Sequence, residues 1–163
     1  MKIGLAVGHS RRGDEGAMTS QESGYSISEW MFNSDLVRRI APPLPVEFKI
    51  YDDYNADSYS DGIANLAQML KDDGIDAVIE FHFNSASPSA VGHEWLYWHS
   101  SKKGSKLAYT LRDEMEAAYP DMKSRGAKPR SADQRGSLFL RKTRAQQLSQ
   151  SLFLAVTVKS GNL

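Results

Sequence analysis

Short apolar runs alternate with amphipathic stretches along this chain, and the alternation reads as strands and helices in turn. Lys2–Val7 is a short apolar strand. From Ser26 to Ile40, the residues Ile27, Trp30, Met31, Leu36, Val37 and Ile40 recur at helical spacings, and Ala41-Pro-Pro-Leu-Pro45 stops the helix. Val46–Tyr51 alternates apolar and polar as a strand with one less buried face, and Asp52 to Asp57 is loop. A second helix is predicted from Ser60 to Asp72, with Ile63, Leu66, Ala67 and Leu70 along one stripe and Gly74 as its stop. Asp76–Phe83 has the β-branched and aromatic character of a strand buried on both faces. Val91–Trp98 is a further strand, and Ser105–Tyr119 is a helix closed by Pro120. Met122–Gly136 is basic and without periodicity, which predicts a long loop. Ser137–Thr143 then reads as a short strand-like piece and Leu152–Val158 as a last strand.

The order β-α-β-α-β-β-α predicts an α/β fold, a three-layer sandwich whose mostly parallel twisted sheet is flanked by helices, of the phosphorylase/hydrolase-like kind. At 163 residues the chain is expected to form one domain over 1–163, long enough to bury roughly 70% of its unfolded surface. Twenty Lys+Arg balance twenty Asp+Glu, so no global charge draws it to nucleic acid or an anionic membrane. No apolar run approaches the roughly 18 residues of a membrane span, and no membrane insertion is expected. The first strand begins within two residues of Met1, without a secretory leader pattern, which predicts a protein that is cytoplasmic at synthesis. A monomer is expected. The absence of cysteine removes thiolate chemistry, so any metal must be held by histidine and carboxylate.

Two of the four histidines stand at the ends of predicted parallel strands. His9 follows Lys2–Val7 in the glycine-punctuated loop Gly8-His-Ser-Arg-Arg-Gly-Asp-Glu-Gly-Ala17, and His82 closes the Asp76–Phe83 strand. Ligands in an open α/β sheet gather outside the carboxyl ends of the strands. A carboxylate between the two imidazoles would complete a three-ligand zinc site with the fourth position left for water. Glu29, in the first turn of the first helix, is the expected third ligand, with Glu22 in reserve. Glu29 also fits a capping box with Ser26, in which its carboxylate would reach back to the Ser26 N–H. His93 and Glu94 point to opposite faces of one strand, so at most one can face the site; His93 is expected at the surface or the edge of the core. Trp30, Trp95, Tyr97 and Trp98 could stack on sugar rings, although such spacings usually mark core. Arg11 and Arg12 could meet substrate carboxylates or simply be solvated. The glycine loop could also cradle a phosphate in a flavodoxin-like binder, but it lacks the G-x-G-x-x-G spacing.

The ordered set of motifs resembles the zinc-dependent N-acetylmuramoyl-L-alanine amidases, cell-wall hydrolases of amidase type 3. Gly8-His9 with Gly16-Ala17 is similar to that family's first loop, Glu29-Trp-Met-Phe-Asn33 to its Glu and Asn spaced by four, and His82-Phe-Asn84 to its His-x-Asn. Gly92-His-Glu94 and Leu140-Arg-Lys-Thr143 are similar to the next two elements, and the resemblance covers about residues 1 to 144. It implies that His9, Glu29 and His82 hold zinc, and that water there attacks the amide between muramic acid and L-alanine in peptidoglycan. It also implies that Asn84, Glu94 and Arg141 orient ligands or substrate. Without a leader, such a protein would act on the wall after release, in the manner of a phage or prophage lysin.

The resemblance breaks in the tail, residues 146–163. The family places a general-base Glu on its last strand, whereas this chain has neither Asp nor Glu after Ala145. Loss of a positioned proton-transfer group costs on the order of 10²- to 10⁴-fold in rate. The tail therefore implies an impaired amidase, or a non-catalytic relic that binds zinc and peptidoglycan. Glu80 shares a face with His82 and could take over proton transfer, or form a buried ion pair. One permitted codon choice, shifted by a single base after Ala145, reads Pro-Ala-Thr-Ile-Ala-Glu-Pro-Phe-Phe-Gly-Ser-Asn, close to the family's ending with its Glu restored.

Overall fold

A computed structural model of the chain describes residues 1–9, 15–18, 26–40, 46–54, 56–83, 91–145 and 151–157. Its elements run β1 (Lys2–Val7), α1 (Glu29–Ile40), β2 (Glu47–Tyr51), α2 (Tyr59–Asp72), β3 (Ala77–Phe83), β4 (Gly92–Trp98), α3 (Lys102–Ala118), β5 (Ser124–Arg130), α4 (Ser137–Ala145) and β6 (Ser151–Thr157). The strands form one six-stranded sheet in the order β2-β1-β3-β6-β4-β5. Every neighbouring pair is parallel except β4 with β6. Among the described residues, no helix is long and apolar enough to cross a membrane.

Alternation along the strands sends side chains into two apolar layers, one on each face. Ala6, Val78 and Leu96 pack with Ile63, Leu66 and Leu70 of α2 and with Phe139 and Leu140 of α4. On the opposite face Leu5, Val7, Phe81, Trp95, Tyr97 and Leu154 pack with Val37 of α1 and Ala108 of α3. This is the three-layer sandwich with a mostly parallel sheet. Serines start the long helices: Ser58 Oγ accepts from the Asp61 N–H at 3.1 Å and Ser101 Oγ from the Gly104 N–H at 3.0 Å. Trp95 and Tyr97 are buried in this way, as core residues.

Two segments depart from expectation. Met122–Gly136 contains β5, an edge strand parallel to β4, where a loop was expected. Only one side of an edge strand is paired, and charged or proline residues are favoured there, so Ser124–Arg130 carries no apolar alternation to read. Ser137–Thr143 lies in α4 rather than in a strand. A short apolar run fits either element by pattern alone; here Phe139, Leu140 and Thr143 are wholly buried, and the Thr143 hydroxyl donates back to the Phe139 carbonyl at 2.8 Å. The last strand falls at Ser151–Thr157, between β3 and β4. The Ala41–Pro45 stop and the tail on either side of β6 lie outside the described residues.

The helical register of α4 makes a direct prediction. Phe139→Ala removes a wholly buried ring and should cost about 3–5 kcal/mol, while Arg141→Ala, at an exposed position, should change stability by less than about 0.5 kcal/mol. Residues two apart share a face in a strand but not in a helix, so comparable losses in urea unfolding would contradict the helix.

Candidate metal centre

Three carboxyl-terminal or amino-terminal element ends meet at one point above the sheet. β1 and β3 are adjacent and parallel, so Gly8-His9 and His82 leave the sheet side by side. The start of α1 lies over them, placed by backbone hydrogen bonds from Glu29 N–H to the Ala17 carbonyl at 2.8 Å and from Trp30 N–H to the Glu15 carbonyl at 3.1 Å. Asn33, one turn along α1, donates its amide to the Phe81 carbonyl at 3.3 Å and ties the helix to the end of β3.

Glu29 is the hub. Its carboxylate is 3% exposed, and its Oε1 lies 3.0 Å from His82 Nδ1 and 3.3 Å from His9 Nε2. The same Oε1 accepts the Phe83 N–H at 2.7 Å, and Oε2 accepts the Ala17 N–H at 3.1 Å. The serine that caps α1 is Ser28, two residues past the Ser26 of the expected capping box; its hydroxyl accepts the Met31 N–H at 3.2 Å.

The donor set suits zinc. One nitrogen from each histidine and one Glu29 oxygen all lie within 4.8 Å of one another. Ligands held about 2.0–2.1 Å from a tetrahedral zinc stand roughly 3.3 Å apart, close to the two observed separations. The imidazoles meet edge to face with centroids 5.2 Å apart, so both can present a nitrogen to one ion. Two nitrogens and a carboxylate oxygen, with no thiolate, form the ligand set of catalytic rather than structural zinc.

Glycines make room for this convergence. A Cβ on Gly8 would lie 2.3–2.5 Å from the His82 ring atoms, and one on Gly16 would lie 2.7 Å from Glu29 Oε2 and from His9 Cδ2. Gly16 has φ +77°, a value that an L side chain seldom adopts. His9 itself sits at φ 67°, which costs a non-glycine residue about 1–2 kcal/mol and turns its ring toward Glu29.

The other expected site residues are distributed as follows. Glu80 is wholly buried, on the same face of β3 as His82, with its Oε2 3.1 Å from His82 Nε2. Glu94 lies on β4, two strands from β3 with β6 between them; His82 and Glu94 both register with position 155 of β6, so the two share a sheet face. The Glu94 carboxylate is held by Lys128 at 2.7 Å and Arg125 at 3.5 Å. Arg125 and Lys128 were missed because β5 reads as loop, although a basic pair flanking Gly126 opposite a buried Glu was the available signal. His93 points to the opposite face and is wholly buried, deeper than the surface or core edge expected for it. Its imidazole fits there because burial pulls its pKa below the ordinary value, favouring the neutral ring. Arg141 is exposed on α4. Asn84, Glu22, Arg11 and Arg12 lie outside the described residues.

Charge within the triad is strongly coupled. Burial works to raise the Glu29 pKa, but hydrogen bonds and charge from His82 and His9 bring it down to about 2 from 4.5. Burial likewise opposes a charge on His82, yet Glu80 and Glu29 lift its pKa to about 9 from 6.5. With metal stripped by chelator, the His82 contribution to stability is full below pH 6.5 and is lost as pH rises through about 9. The Glu29 contribution is present above pH 4.5 and is lost as pH falls through about 2. A metal must displace the His82 proton, so its affinity should tighten as pH rises toward 9, by about tenfold per unit; metal titrations at several pH values, with proton release measured, check this. Gly8→Ala should abolish tight metal binding, because its methyl group displaces the His82 ring, while leaving the far-ultraviolet dichroism of the sheet and helices intact.

Comparison with known proteins identifies the family and the fold. A family model described as N-acetylmuramoyl-L-alanine amidase matches residues 3–156. Among solved structures, the CwlD amidase from Clostridioides difficile in complex with the GerS lipoprotein is similar at TM-score 0.72 and 15% identity, over 95% of this chain and 81% of that one. The amidase AmiC2 of Nostoc punctiforme is similar at TM-score 0.68 and 19% identity, over 94% and 77%. The catalytic domain of the CD27L endolysin targeting Clostridia difficile follows at TM-score 0.64 and 23% identity, over 94% and 79%. No curated protein sequence matches. The structural likenesses carry the fold and the family match spans nearly the whole sequence, which sets aside the flavodoxin-like reading: the chain belongs to the N-acetylmuramoyl-L-alanine amidase family.

Proposed function

We propose that this chain is a zinc-dependent amidase that hydrolyses the bond between muramic acid and L-alanine in peptidoglycan, with turnover lowered by its altered tail. The observation that carries the reading is the convergence of His9 Nε2 and His82 Nδ1 on one buried Glu29 oxygen, at 3.3 and 3.0 Å. Zinc held by these three residues would supply a Lewis acid that polarises an amide carbonyl and a water made acidic enough to react near neutral pH. The chain's own residues supply the rest. Glu29, fixed by two backbone N–H groups, sets the spacing of the histidines. Glu94, with Lys128 and Arg125, lies on the same sheet face as His82 and would orient the muramyl peptide, a role shared in this reading by Asn84 and Arg141.

The tail favours a second reading, a zinc-holding peptidoglycan binder without turnover. β6 runs through the centre of the sheet, yet its sequence Ser151–Thr157 contains no carboxylate to move a proton. A single-base slip after Ala145 accounts for this ending, and the nucleotide sequence tests it. An endolysin-like use, reaching the wall after release from the cell, fits the reading, as does the likeness to an endolysin domain.

Two measurements test the proposal. Metal analysis should find one zinc per chain, lost on His82→Ala. Release of muramyl peptides from purified sacculi should be slow for this chain and faster by about 10²- to 10⁴-fold when residues from Gln146 are replaced by Pro-Ala-Thr-Ile-Ala-Glu-Pro-Phe-Phe-Gly-Ser-Asn. Sacculus binding without release by either chain would favour the binder; absence of zinc would overturn both readings.

A further inference from the structure

His82 is gripped from two sides. Its Nδ1 faces Glu29 inside the triad at 3.0 Å, and its Nε2 faces Glu80 Oε2 at 3.1 Å on the side turned into the protein. The second approach is an ion-pair contact whose angle falls short of a hydrogen bond. Glu80 has no exposed surface, and a carboxylate so deeply buried is tolerated only with a charged or hydrogen-bonding partner. Tyr54 is the other polar neighbour, its hydroxyl 3.5 Å from Glu80 Oε1. That hydroxyl carries one proton and donates it to the Val7 carbonyl over a much shorter contact. The His82 ring is thus the nearer donor to Glu80 among the described residues.

We propose that Glu80 is a positioning residue of the metal centre: it holds the Nε2–H of His82 from the buried side and so keeps the Nδ1 lone pair aimed at the ion shared with His9 and Glu29. An imidazole ligand has two chemically distinct nitrogens, and the partner of the distal one decides which tautomer is present and how the ring is turned. Gly8 fixes the ring's position sterically, since it stands against the edge between the two nitrogens. Glu80 fixes its orientation electrostatically.

This inference rests on the zinc reading above, and the test separates the two. Zinc dissociation constants are measured by chelator competition for the wild type, E80Q and E80L, with I63V as a trimmed-core control. Loss of such an outer partner typically weakens a metal about 10- to 100-fold, which is the effect expected for E80L. E80Q retains an accepting oxygen without the charge and should fall between. I63V should lower Tm while leaving zinc affinity unchanged. Nitrogen NMR of the zinc-loaded wild type should show a slowly exchanging Nε2–H on His82 that E80L loses and I63V keeps. Should E80L not fold, E80Q decides alone. Affinities within twofold of wild type for the folded Glu80 variants would overturn the inference while leaving zinc binding intact; a wild type that binds no zinc would overturn the parent reading and this one with it.

Discussion

A carboxylate buried at 3% exposure must be answered by hydrogen-bond donors or positive charge, and Glu29 is answered from four directions. Two backbone N–H groups and two imidazoles converge on it, from the loop before α1, the end of β3 and the end of β1. Each of those segments is therefore located by the same two oxygen atoms. The parallel pairing of β1 with β3 supplies the other half of the constraint, since it brings the two histidine-bearing strand ends within a few ångströms before any ligand chemistry is considered. The remainder of the sandwich, with helices on both faces, is the scaffold that makes this meeting rigid.

The site shows how little freedom such a centre has. Gly8 and Gly16 stand where a methyl group would strike His82 or Glu29, and His9 adopts a left-handed backbone conformation. Strain of that kind persists only when surrounding contacts over-determine it. Two groups of polar residues stand on the ligand-bearing face: Glu80 against His82, and Glu94 with its basic partners two strands away.

The tail shows that folding and chemistry make different demands on one strand. β6 pairs with both β3 and β4, and Leu154 is buried in the apolar layer beneath α1 and α3. Backbone hydrogen bonding and apolar fill are enough to occupy the central slot. A proton-transfer group at its end is a requirement of the reaction alone, so the sheet closes without one.

Much of the architecture was legible from periodicity, because β3 and the buried stripe of α2 carry patterns that only one element satisfies. The triad was legible too, as three polar residues at the ends of apolar elements, and the family's motif order reinforced it. What the pattern could not distinguish was a short run such as Ser137–Thr143, apolar enough for strand or helix until α2 offered it a packing partner, or an edge strand such as β5 whose exposure removes the apolar alternation. Nor did the sequence reveal that Ser28 rather than Ser26 caps α1, that Gly8 lies against an imidazole seventy-odd positions away, or that Glu80 Oε2 comes within 3.1 Å of the second nitrogen of His82. Linear order determines which residues share a face of one element; which elements then face one another depends on sheet pairing and packing between distant segments, and those contacts exist only in the folded chain.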